Sequence, residues 1–343
     1  MTNFQWALIG PGAIARRFAD AVQRIPGSCL NVVHGRDAGR AEAFARRWSL
    51  ADRPVVRVSA DIDALLSEPD VDAVYIATPH SHHGDAIAAC LAAGKPVLCE
   101  KPLVPTLAQA LPLIELARQR QVFLMEAIWT RFLPIYEVVG RWLTMQAIGP
   151  VRAMQSSFCF SVPFQPASRM FDPALAGGAL LDIGIYNLTM THWVLQKAWG
   201  ACPEPLQIQA SGRLAPTGVD QRVNATLIFP DGIASQFVCA FDSIADNGLR
   251  IFGERGVITV PQRFWEATEA ILHVDGQSPQ HEHRPFAING FEGEIAAAQQ
   301  CIRAGLIESP VISHRDTLTT LGWMDQIRQT LGVRYPFEQA VQL

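Results

Sequence analysis

The feature that most limits how this chain can fold lies near its start. Trp6-Ala-Leu-Ile9 is a short apolar run, followed at once by Gly10-Pro-Gly12-Ala13-Ile14-Ala15 and a helix-like stretch to Arg24. Strand, tight turn and helix in that order give the spacing G-x-G-x-x-A. Gly10 permits the turn, Gly12 lets the backbone approach a pyrophosphate, and the small Ala15 lets helix pack on strand. The N–H groups of Gly12, Ala13 and Ile14 and the helix dipole then face the phosphates. A glycine turn after a strand can also serve the turn alone, so a dinucleotide site requires the same unit to recur along the chain.

It does recur. Leu30-Asn-Val-Val-His34 is a second strand, and Asp61-Ile-Asp-Ala-Leu-Leu66 a short helix opened by acidic residues. Val71 to Thr78 is a buried strand ending at Pro79, and His83 to Ala93 a helix stopped by Gly94. Val97-Leu-Cys99, the helix Thr106 to Arg120 and Val122-Phe-Leu-Met125 complete five or six parallel strands with helices between them. This is a doubly wound α/β sheet of the Rossmann type, and its ligands sit outside the carboxyl ends of the strands.

Those ends carry the candidate residues. Arg36 stands at the tip of the second strand, where a carboxylate suits NAD and an arginine suits a 2′-phosphate; Arg40 is a second phosphate partner one helical turn on. NADP is the expected cofactor, with Asp37 on the ribose of NAD as the alternative. Thr78 and Pro79 line the cofactor. Lys101, delivered by Val97-Leu-Cys-Glu100 and followed by Pro102, sits where cofactor and substrate meet. His80-Ser-His82-His83 invites a metal reading, but no cysteine or carboxylate lies at ligand spacing and neighbouring histidines in a turn diverge. No metal is expected.

From Glu126 to Pro134 the alternation stops, and after a helix over Ile135 to Gln146 the period becomes two. Val151 to Phe158, Arg222 to Phe229 and Ile233 to Phe241 alternate, the last two joined by a Pro230-Asp-Gly232 turn; Leu249 to Phe252 and Val257 to Val260 form a further hairpin. At 343 residues, 49% of them hydrophobic, the chain is long enough for two cores. The expected division is a dinucleotide-binding domain over 1–127 and, over 128–343, an α+β substrate-binding and dimerisation domain with a large, mostly antiparallel sheet.

The second stretch carrying chemistry is Gly177-Gly-Ala-Leu-Leu-Asp182-Ile-Gly-Ile-Tyr186. Its glycines open a helix, and Asp182 and Tyr186, four apart, share one face. A core tyrosine and an aspartate paired with an arginine would show the same spacing. The balance of 28 basic and 32 acidic residues, net charge -4 without long runs, argues against nucleic acid or anionic membranes as partners. No apolar run approaches about 18 residues, and the seven isolated cysteines suit reduced core thiols. Met1-Thr-Asn-Phe-Gln5 runs straight into a strand without a signal-type segment, so a cytoplasmic location is expected.

Gly10-x-Gly12-x-x-Ala15, Ala77-Thr-Pro79 with His83 four on, Glu100-Lys101-Pro102 and Gly177 to Tyr186 together resemble the Gfo/Idh/MocA oxidoreductase family. The match runs in order to Gly290-Phe-Glu-Gly-Glu294 and a terminal helix containing Asp325. Many members have histidine where this chain has Tyr186. Tyrosine there, with Trp129-Thr-Arg131-Phe132, is similar to the branch of dimeric dihydrodiol, NADP-dependent xylose and glucose-fructose oxidoreductases.

The resemblance implies an NADP-dependent dehydrogenase acting on CH–OH groups, with catalytic Lys101, Asp182 and Tyr186. Tyr186 would take the proton from a substrate hydroxyl as hydride leaves for nicotinamide; Lys101 would lower its pKa from the free phenol's value of about 10. Asp182 would bond a neighbouring hydroxyl or hold Lys101, and the Lys101-Pro102 peptide would be cis. His83, Glu100, Trp129 and Arg131 join the cofactor set, with core packing the alternative for Trp129. The substrate is a cyclic polyol, an aldose or a trans-dihydrodiol, met by Asp182, Tyr186, Arg169 and Phe160, with Phe158 and Phe171 nearby. A homodimer paired through the antiparallel sheet is expected. A non-catalytic dinucleotide-binding sensor of the same fold is the alternative function.

Overall fold

Helix α1 (Ala13–Arg24) turns Ala15, Phe18, Ala19 and Val22 inward at the helical period, so its apolar stripe must be covered by the sheet that begins with β1 (Phe4–Ile9). The computed structural model, which describes residues 3–51 and 53–340, shows the alternation continuing. It runs through β2 (Ser28–His34), α2 (Ala38–Trp48), β3 (Arg57–Val58), α3 (Ile62–Leu66), β4 (Ala73–Ile76), α4 (His83–Ala92), β5 (Val97–Glu100), α5 (Leu107–Arg120) and β6 (Leu124–Ala127). Asp37, Asp61 and Thr106 cap α2, α3 and α5 through their side chains, which sets where those helices start. All strand pairs are parallel, in the order β3-β2-β1-β4-β5-β6. The order reverses between β1 and β4, which places a crevice at the ends of those two strands.

The rest of the chain comprises α6 (Pro134–Thr144), β7 (Val151–Cys159), α7 (Ile185–Trp199), β8 (Gln207–Leu214), β9 (Asp220–Ile228), β10 (Ala234–Ala240), β11 (Leu249–Gly253), β12 (Gly256–Val260), β13 (Glu269–Val274), β14 (Gln280–His283), α8 (Glu292–Arg303) and α9 (His314–Leu331). The eight strands form one sheet, β14-β13-β12-β11-β7-β10-β9-β8, antiparallel except where β10 pairs β7. The β9–β10 turn uses positive φ at both Asp231 (59°) and Gly232 (72°).

Two compact units result: Met1–Trp129 with Ala287–Leu318, and Thr130–Phe286 with Thr319–Leu343. The expected second domain of 128–343 therefore loses 287–318. That segment packs on the first unit, where the Gln299 amide donates to Ser28 Oγ at 2.8 Å and Thr317 Oγ1 to Glu126 at 2.8 Å. The expected start of the Asp182 helix also changes. Leu180–Gly184 is a π-helical turn that leads into α7, so Asp182 lies in a wider coil than Tyr186. Among the described residues no helix is long and apolar enough to cross a membrane.

Candidate active site

In the first unit the glycine turn and the end of β4 meet. Gly10 has φ +92°, and a Cβ on it would lie 2.8 Å from the Ala77 and Thr78 backbone. Gly12 precedes α1 without any side-chain cap, so the amides of its first turn remain for a ligand. Ile14 is an exposed apolar side chain beside them, and the Thr78 hydroxyl is enclosed with no hydrogen-bond partner among the described residues. This cradle, closed to any side chain and lined by amides, fits the pyrophosphate of a dinucleotide. At the end of β2, Arg36 and Arg40 are exposed. Asp37 is engaged locally: Oδ1 accepts the Arg40 N–H at 2.9 Å, and Oδ2 lies 3.5 Å from the Arg40 guanidinium.

Lys101 follows β5, half-buried, and its peptide bond to Pro102 is cis. The turn it sits on is gripped from several sides. The Leu103 N–H donates to Glu126 Oε1 at 2.7 Å, and a His83 ring nitrogen lies 2.9 Å from the Pro102 carbonyl oxygen. The other His83 nitrogen lies 2.9 Å from the Thr78 oxygen. Glu100 turns inward to accept the Tyr75 hydroxyl, with its other oxygen 3.3 Å from the Lys101 N–H.

His83, expected in the cofactor set, is placed between the Pro102 and Thr78 backbone carbonyls. Its ring has no exposed surface, burial holds its pKa below the ordinary value, and it braces the two loops from behind. Burial pushes Glu126 up to about 7, opposed by the Leu103 N–H, the Thr317 hydroxyl and the charge of Lys101. Trp129 is also buried, packed 5.2 Å from Phe291 with the Arg17 guanidinium 4.3 Å over its ring, which is the core-packing alternative.

In the second unit Asp182 and Tyr186 are nearly enclosed, at 5% and 6% exposure. Asp182 Oδ1 accepts from Arg169 Nη1 at 3.0 Å, so Arg169, expected on the substrate, serves as the counter-ion of that carboxylate. Phe158 sits 5.8 Å from the Tyr186 ring and stacks face to face on Trp265 at 3.4 Å. Trp265 was invisible as a candidate in the sequence. Its turn is fixed by Thr130 Oγ1 donating to the Trp265 carbonyl at 2.6 Å and Tyr136 Oη to the Phe264 carbonyl at 2.5 Å. Phe160 is half-buried between Phe158 and Phe241, whereas Phe171 is wholly core. Arg131 is buried, its guanidinium 3.5 Å from the Gln196 side-chain oxygen.

An acid and a phenol lie one turn apart, the phenol beside stacked aromatic rings, groups of the kind that accept a hydroxyl, move its proton and cover an apolar face. Among the described residues no cluster of histidine, cysteine or carboxylate side chains could hold a metal ion.

Comparison with known proteins gives a consistent result. Residues 4–128 match the model for the oxidoreductase family with an NAD-binding Rossmann fold, and 136–259 the Gfo/Idh/MocA C-terminal domain. Trans-1,2-dihydrobenzene-1,2-diol dehydrogenases of Sus scrofa and Mus musculus are 32% and 33% identical, the alignments covering 97% of this chain and 98% of each relative. Among solved structures, the aldose-aldose oxidoreductase of Caulobacter crescentus complexed with glycerol superposes with a TM-score of 0.83 at 25% identity over 96% of this chain and 98% of that one. The 3-ketoreductase KijD10 of Actinomadura kijaniata, in complex with NADP and TDP-benzene, gives 0.82 at 26% identity, with the same coverage.

Proposed function

The chain belongs to the Gfo/Idh/MocA oxidoreductase family, a dehydrogenase acting on CH–OH groups with an NAD(P)-binding Rossmann domain; from that premise we propose that its cofactor is NADP and its substrate a cyclic polyol, an aldose or a trans-dihydrodiol. A bound nicotinamide would accept or return the hydride. Tyr186 moves the proton of the reacting hydroxyl, assisted by the charge of Lys101, and Asp182 accepts a neighbouring hydroxyl. The observation that carries this reading is Asp182 on the π turn followed, one turn on, by Tyr186 at the start of α7, where Tyr186 lies next to the Phe158–Trp265 stack.

Support for NADP comes from the end of β2. Asp37 is occupied in capping α2, while Arg36 and Arg40 stand exposed. The resident Gly10 and Gly12 turn, Ala13, Ile14, Thr78 and Pro79 would hold the dinucleotide. Purified protein, NADP or NAD and a panel of aldoses and trans-dihydrodiols, followed by the absorbance of reduced nicotinamide, tests the whole reading. Turnover of at least one polyol is expected; tight nucleotide binding with no turnover of any would overturn it.

The reading extends to a homodimer through the antiparallel sheet. Exposed Gln155, Gln209, Asn224 and Gln236, from four neighbouring strands, line a shallow groove on that sheet, uncharged side chains that two copies could bury with mutual hydrogen bonds. Light scattering at micromolar concentration decides it, a monomer counting against it.

A further inference from the structure

The turn that begins the Asp182–Tyr186 helix has no cap of its own. Ala179, at its start, offers no side-chain acceptor, and helix starts leave several N–H groups to be satisfied. Asp220, the first residue of β9 and wholly buried, takes that role from outside: its Oδ2 accepts the Leu180 N–H at 2.6 Å. A carboxylate at this end also complements the helix dipole. Gly178 makes room for it, since at φ +123° a Cβ there would run into Asp220 Oδ1.

One residue earlier the chain is held a second time. Tyr335, wholly buried beyond α9, donates its hydroxyl to the Gly177 carbonyl oxygen at 2.8 Å. That ring is itself fixed. The Arg328 guanidinium lies 5.0 Å over it, tied to Asp325 at 2.6 Å and Glu338 at 2.7 Å, and Phe337 stacks on it at 5.3 Å. The Gly177 and Gly178 amides go to the Asp172 and Met170 carbonyl oxygens at 3.0 and 2.9 Å. The π turn that starts from these anchors carries Asp182, and such turns persist where surrounding contacts hold them.

We propose that Asp220 and Tyr335 are positioning residues for the reaction, clamping Gly177 to Leu180 so that the π turn places Asp182 and, one turn on, Tyr186. The catalytic half of this rests on the proposed function. The clamp itself does not, and the two are separable by experiment.

The test uses the full chain as Tyr335→Phe, Asp220→Ala and Asp220→Asn, the last keeping an acceptor for the Leu180 N–H. Amide hydrogen exchange across 178–186 is expected to accelerate about tenfold in Tyr335→Phe and Asp220→Ala, the loss of roughly one hydrogen bond, with β1 unaffected. The turnover number of both falls about tenfold, dinucleotide affinity is unchanged, and Asp220→Asn recovers most of the rate. If Asp220→Ala does not fold, Tyr335→Phe, which loses a single oxygen, still decides. Unchanged exchange across 178–186, acceleration spread equally over the chain, or an unchanged turnover number despite local acceleration each overturns the proposal. A wild-type protein inactive on every polyol removes the functional reading instead; local acceleration then supports the clamp on its own, and its absence overturns it.

Discussion

The Asp37 carboxylate accepts the backbone N–H of Arg40 at 2.9 Å, so the acidic side chain at the end of β2 is bound to its own helix. Arg36 beside it is exposed, a guanidinium able to pair with phosphate in a bidentate fashion. Arg36→Ala is therefore expected to raise the dissociation constant for NADP by about 10- to 100-fold, the worth of a charge-assisted contact, and to leave that for NAD nearly unchanged. Titration calorimetry with both nucleotides measures this. Equal losses would contradict a 2′-phosphate contact.

Tyr186 is enclosed beside Phe158, and removing its hydroxyl oxygen leaves the ring and its packing in place. Tyr186→Phe is expected to lower the turnover number by about 10² to 10⁴, the usual contribution of a general acid or base, without weakening nucleotide binding. Steady-state kinetics beside nucleotide titration check it. A variant that turns over like the wild type would remove Tyr186 from the reaction.

Much of the fold was legible because its signals are local. The glycine turn, the acidic opening of the helix at Asp61 and the change to a period of two after residue 146 each lie within a few neighbouring positions, and the structure has them. The same holds for Lys101 at the end of β5 and for Asp182 and Tyr186 on a helix. What escaped depends on distant partners. The ring of His83 could not be known to face the Pro102 and Thr78 carbonyls, and nothing near Arg169 marks it as the partner of Asp182. Trp265 sits in an irregular turn without periodicity, and its stacking on Phe158 joins segments far apart in sequence. Residues 287–318 read as part of whatever precedes them; their return to the first unit rests on side chains such as Gln299 and Thr317.

Gly10 offers a direct test of the cradle. Its φ of +92° is costly for any L side chain, and the added Cβ would press on the Ala77–Thr78 backbone at 2.8 Å. Gly10→Ala is expected to destabilise the protein by about 2 kcal/mol or more and to impair dinucleotide binding. Urea unfolding gives the first through a lower midpoint at constant slope. Wild-type stability and affinity together would mean that the turn can relax without this glycine.

Glu126 provides a pH-dependent prediction. Its carboxyl is buried, and its pKa is raised in the folded state to about 7 from the usual 4.5. A raised pKa means that the folded protein holds the proton more tightly than the unfolded one. Its stabilising contribution is present in full below about 4.5 and is lost as pH rises through about 7. Above that pH the ionised group is a liability, opposed by the Leu103 N–H and the Thr317 hydroxyl. Glu126→Gln keeps the shape and an acceptor for Leu103 but cannot ionise. It should therefore be more stable than the wild type at pH 8, by up to about 3 kcal/mol and with a correspondingly higher unfolding temperature, and the margin should shrink as pH falls toward 5. Calorimetry across that range checks it. A difference between the two proteins that does not change with pH would show that Glu126 does not titrate there.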